Sequence, residues 1–152
     1  MLIHDKKERI NMISDEMKKI IQQYIEPNNN KLIKPATDEQ IEAFEEKNGF
    51  SLPLLYKEWL SYSDGGDLFL PAGVQLYGVA NKPLIDLDDE SGPDDTYVVI
   101  GSLANGDPLL CNKNNQLISI FNQGAGVIEK DEVYDDFGAF LTDLSTLLGI
   151  EG

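Results

Sequence analysis

Histidine, cysteine and tryptophan occur once each, as His4, Cys111 and Trp59. A lone cysteine excludes an internal disulfide, so the fold must be held by its core. A Cys–His nucleophile pair is not expected either, because its members must share a hydrogen bond. His4 lies in a terminus expected to fray, and Cys111 sits in the apolar run PLLCN, where a small buried side chain is the expectation. No apolar run approaches the roughly 20 residues that cross a bilayer. The opening MLIHDKKERI turns charged within four residues, unlike a secretory signal, and the chain is expected to be cytoplasmic.

Basic residues are also scarce. The chain has 12 Lys and Arg against 27 Asp and Glu, a formal charge of −15. Up to Lys34 the division is seven basic and five acidic, or +2; beyond it five and 22, or −17. Such a surface repels phosphate backbones, which nucleic-acid binders meet with Lys and Arg, so nucleic acid is not an expected partner.

What remains suits one globular domain: 152 residues, 41% apolar and 26% charged. Ile10, Ile13, Met17, Ile20, Ile21 and Tyr24 recur at helical steps and predict an amphipathic helix ending near Pro27. The connector NNNKLIKP follows. Residues 1–34 are thus a helix and connector ahead of a domain over 35–152. Thr37 and Gln40 have the spacing of a capping box, and Gly49 can close that second helix in the left-handed conformation. In the third helix Pro53 suits the first turn, while Leu55, Tyr56, Trp59 and Leu60 share a face. Aromatic residues in such a stripe belong to a core more often than to a ligand site, and the Gly65-Gly66 pair permits a sharp reversal after it. The second and third helices should form a compact hairpin.

Beyond Gly66 the period shortens. VQLYGV, TYVVIGS, DPLLCN, QLISIFN and GVIEK are separated by ANGD, NKNN and QGAG, which predicts an antiparallel meander. Phe137, Phe140, Leu141, Leu144, Leu147 and Leu148 restore the helical period, with Asp135 or Asp136 as cap. The expected class is α+β: N-terminal helices, a mainly antiparallel meander sheet, and a C-terminal helix packed on it.

Two further motifs do not match the ligand loops they suggest. Gly124-Ala125-Gly126 lacks the lysine and following helix of a phosphate loop and reads as a hairpin turn. Asp86, Asp88, Asp89, Glu90, Asp94 and Asp95 crowd ten residues but miss the calcium-loop spacing. No metal, cofactor or catalytic residue is expected.

Residues 35–66, PATDEQIEAFEEKNGFSLPLLYKEWLSYSDGG, resemble the opening of the SUKH superfamily, also called the Smi/Knr family. Leu52-Pro53, Tyr56, Leu60 and Asp64-Gly65-Gly66 occupy the places of that family's Leu-Pro, Tyr-x-x-x-Leu and Asn-Gly-Gly pattern. LYGV, TYVVIGSLANGDPLLCN and YDDFGAFLTDL continue it to about Leu148. The helix before Lys34 is not part of the pattern, and Asp64 replaces the commoner Asn.

The resemblance implies binding rather than catalysis. Many bacterial members are immunity proteins that neutralise toxins, often nucleases; fungal relatives are regulatory and scaffolding proteins of cell-wall synthesis. The acidic run adds a physical mechanism, since carboxylates facing a Lys/Arg-rich cleft speed encounter with a basic partner. A basic toxin domain met through the 86–95 segment is the leading expectation. An intracellular scaffolding module that uses the N-terminal helix is the alternative.

Overall fold

The computed structural model describes residues 13–71, 73–81, 84–86 and 94–148. Its first helix, α1 (Asp15–Ile20), opens on Ser14, whose hydroxyl accepts the Met17 N–H at 3.2 Å. It runs directly into a π-helical segment, Ile21–Ile25, marked by the Glu26 N–H donating to the Ile21 carbonyl at 2.8 Å. The reason lies in the apolar spacing. Ile13, Met17, Ile21 and Ile25 are buried at strict four-residue steps, and an α-helix drifts by about 40° over each such step. The wider π turn keeps Ile25 on the buried face, where a uniform 3.6-residue period favours Tyr24. Tyr24 is half-buried. Asn28 and Asn30 then cap the end, their side-chain amides donating to the Tyr24 and Ile25 carbonyls at 2.8 and 2.7 Å.

Helix α2 (Asp38–Asn48) has the full capping box expected of Thr37 and Gln40, and Gly49 closes it at φ 72°. Helix α3 (Leu54–Leu60) takes Pro53 as its N-cap, one position outside the first turn. Tyr56, Trp59 and Leu60 point inward, while Leu54 is 65% exposed. The two helices meet through Glu45, which pairs with Lys57 at 3.5 Å and accepts the Leu52 N–H at 2.7 Å. A groove remains between them.

The sheet is a six-stranded antiparallel meander in the order β1 (Gly66–Leu68), β2 (Val74–Leu76), β3 (Tyr97–Leu103), β4 (Pro108–Asn112), β5 (Ile118–Asn122) and β6 (Val127–Tyr134). Strand β1 is additional to the sequence expectation, which reads its double glycine only as a helix stop. The connector supports it: Lys31 and Asp67 exchange backbone hydrogen bonds of 2.7 and 2.9 Å, and Asn30 accepts the Phe69 N–H at 3.0 Å. The run at 74–79 is a strand only to Leu76, although the Tyr77 N–H still donates to the Ile100 carbonyl of β3 at 2.8 Å. Strand β6 reaches Tyr134, four residues past GVIEK.

Helix α4 (Phe137–Leu147) is capped by Asp136, which accepts the Ala139 N–H at 2.8 Å. Phe137, Phe140, Leu141 and Leu144 enter one buried cluster with Met17, Trp59, Val98, Leu109 and Ile118, so all helices and the sheet share a core. Phe137 is its hub, with Tyr56 edge-on at 4.7 Å and Trp59 and Phe140 at 6.2 and 5.9 Å. This is the α+β arrangement expected.

Candidate partner-binding surface

The residues that carried the resemblance lie inside the molecule. Leu52, Pro53, Tyr56, Trp59, Leu60, Gly65, Gly66, Phe137, Phe140 and Leu141 are all buried. Trp59 donates its indole N–H to the Gly65 carbonyl at 3.0 Å. The Tyr56 hydroxyl lies between the Tyr77 and Ile100 carbonyl oxygens. Burial, and then the neighbouring Asp64 charge, hold this phenol well above its ordinary pKa. None of these groups faces solvent.

Asp64 organises the turn that follows. Its carboxylate is 1% exposed and accepts four hydrogen bonds. The backbone N–H groups of Val79, Ala80 and Asn81 lie at 2.7, 2.9 and 2.8 Å, and the Asn81 amide at 2.9 Å. A buried carboxylate is stable only when so satisfied. A Cβ on Gly78 would overlap the Asp64 carboxylate and carbonyl, and one on Gly65 would overlap the Leu76 carbonyl. These glycines let the post-helical turn and the end of β2 touch. Sequence reasoning treated Asp64 as a departure from an Asn pattern; its donors sit 15 to 17 residues downstream.

The held loop leads into the acidic segment. Leu84 is 42% exposed. Ile85 donates its N–H to the Gly78 carbonyl at 3.1 Å, and Asp86 exchanges backbone bonds with Val99 at 3.0 and 2.9 Å, which extends the sheet beside β3. Asp86, Asp94 and Asp95 are exposed, and Asp94 accepts the Thr96 N–H at 2.8 Å. Both described flanks of the segment are therefore at the surface. Asp88, Asp89 and Glu90 lie outside the described residues, as does His4.

Two other acidic features are present. Helix α2 carries Asp38, Glu39, Glu42, Glu45 and Glu46 and one basic residue, Lys47. This helix is flanked by a groove of about 400 Å³ toward Val79, Ala80, Leu84 and Ile85, and by one of about 270 Å³ toward α3. At the sheet's end, Ser119 faces Val133 and Phe121 faces Ile128, so the single residue Ile120 of β5 stands against four of β6. The surplus forms an irregular edge carrying Glu129, Lys130, Asp131 and Glu132. Partial burial, then Asp131, Glu129 and Asp107, raise the Glu132 pKa.

Cys111 is buried, and burial pushes its thiol up to about 12, which makes it unreactive at neutral pH. Among the described residues no group of three or more His, Cys, Asp or Glu side chains could hold a metal ion. No helix among them is long and apolar enough to cross a membrane.

The model of the SMI1/KNR4 family (SUKH-1) matches residues 35–143. This chain belongs to that family. The match begins at Pro35, ahead of the capped α2, and ends within α4, so it includes the Asp64 turn and all six strands. No match was found among the curated proteins. The SUKH family is in general one of protein-binding domains. In this SUKH chain the motif residues are core, which leaves the acidic exterior as the candidate interface.

Proposed function

We propose that this SUKH protein is a non-enzymatic immunity-type protein that neutralises a basic toxin domain by covering it with an acidic surface. The observation that carries the reading is the charge distribution: −17 beyond Lys34, over a fold whose described carboxylates at Asp86, Asp94 and Asp95 stand exposed. A nuclease cleft is such a basic surface, because it must attract phosphates. Carboxylates opposite it increase the encounter rate and reject acidic competitors.

The scaffolding alternative draws on the N-terminal helix, whose apolar face either packs on the domain or binds a partner helix. Burial of Ile13, Met17, Ile21 and Ile25 in the chain's own core supports the first use. The test is co-expression with the C-terminal domain of the polypeptide encoded immediately upstream. Growth arrest by that domain, relieved by this protein, supports the reading; arrest that persists despite soluble expression contradicts it.

A further inference from the structure

We propose that the groove between α2 and α3 anchors an arginine of a protein partner. The inference rests on the acidic-surface reading above and places a contact within it. Asp38, Glu42 and Glu45 stand at i, i+4 and i+7 on α2 and so share one stripe. Opposite lie Leu54 and Lys57 of α3, with Ile41 buried beneath, and the space between is about 270 Å³.

Within this groove Lys57 is engaged by Glu45 at 3.5 Å. Asp38 and Glu42 have no ion-pair partner among the described residues, and their like charges one turn apart repel. Leu54, at 65%, is the most exposed large apolar side chain among the described residues and sits in the same groove. An arginine satisfies both features. Its methylene arm covers Leu54, and its planar fork presents several N–H donors to the two carboxylates. The volume suits one or two side chains rather than a drug-sized ligand, which usually needs about 300 to 1,000 Å³. Arginine is a frequent interface anchor for these same reasons.

The probe is a synthetic peptide alternating arginine and leucine, titrated into the ¹⁵N-labelled full chain, with a citrulline counterpart that keeps shape but lacks charge. Amide shifts should centre on Asp38–Glu45 and Leu54–Glu58, and the citrulline peptide should produce none. Asp38→Asn with Glu42→Gln should weaken binding about tenfold, two exposed charge pairs contributing a few-fold each. Leu54→Ser should weaken it about threefold, through lost apolar cover. A well-dispersed spectrum of each variant establishes that it folds. Shifts centred on Asp86 and Asp94, or on Glu129–Glu132, and indifferent to these substitutions would overturn the groove while leaving an acidic binding surface. The absence of arginine-dependent shifts anywhere would remove both.

Discussion

Asp64 grips Asn81 twice, its Oδ2 accepting the Asn81 backbone N–H at 2.8 Å and the side-chain amide at 2.9 Å. With Val79 and Ala80 held by the same carboxylate, the end of helix α3 fixes the loop that leads to the acidic segment. Asp64→Ala leaves the part-buried N–H groups of Val79, Ala80 and Asn81 without their acceptor, at up to about 1–3 kcal/mol each. A total loss above about 3 kcal/mol is expected in urea unfolding. Asp64→Asn, which keeps one acceptor oxygen, should cost less than half as much. Equal stabilities for the two variants would show that the carboxylate does not organise the loop.

Gly78→Ala tests the other side of this contact. Its Cβ would occupy the space of the Asp64 carboxylate and of the Asp64 carbonyl oxygen, and the latter, being backbone, limits relaxation. A loss of at least about 2 kcal/mol is expected, within the range for severe overpacking. Hydrogen exchange should quicken first at Val79–Asn81.

Ser14 ties the N-terminal helix to α3, giving both its N–H and its hydroxyl to the Glu58 carboxylate at 2.9 and 2.6 Å. Deleting residues 1–30 removes this tie and four buried apolar side chains, Ile13, Met17, Ile21 and Ile25. At about 1.5–3 kcal/mol each, the loss of about 6–12 kcal/mol equals the whole stability of a typical domain. The truncated chain should show no cooperative melt by circular dichroism. A cooperative melt near that of the full chain would make residues 35–152 an independent unit, with the helix an appendage.

Alkaline pH should destabilise the fold in a defined direction. The Cys111 thiol rises from 9.0 to about 12, and Tyr56 is raised too, so the native state holds these protons more tightly than the unfolded chain. This contribution is fully present below the unfolded pKa values and is lost as pH climbs through the folded ones. Denaturant midpoints should fall from about pH 9 upward, and Cys111→Ala should flatten that fall whatever its effect at pH 7. The wild-type thiol should react with a disulfide reagent only at the rate of opening.

Glu132 shows the same direction in a carboxyl group. Its folded pKa is raised by partial burial and by Asp131, Glu129 and Asp107, so its charged form is disfavoured in the fold and protonation on acidification relieves that cost. Glu132→Gln should therefore raise stability slightly at pH 7, by no more than about 0.5 kcal/mol for a largely exposed group. The gain should vanish below the carboxylate range.

Features set by neighbours in the chain were legible in the sequence. Thr37 with Gln40, Gly49, Asp136 and the Phe137–Phe140–Leu141 stripe all act within four residues, and each occupies its expected role. Features set by distant partners were not. The four donors of Asp64, the Ser14–Glu58 tie and the Lys31–Asp67 pairing join residues 15 to 44 positions apart. Ile25 was missed because a fixed helical period cannot anticipate a π turn. The groove beside Leu54 depends on how α2 and α3 are spaced, which Glu45 sets through Lys57 and Leu52.

The central claim concerns an acidic binding surface, and association kinetics test it most directly. The full chain should be mixed in stopped flow with the C-terminal domain of the upstream-encoded polypeptide, at ionic strengths from 0.05 to 1 M. Association should slow as salt shortens the screening length toward about 3 Å. Replacing Asp88, Asp89, Asp94 and Asp95 by Asn should slow it about tenfold at low salt, with dissociation nearly unchanged. An association rate indifferent to both salt and these four substitutions would contradict the account.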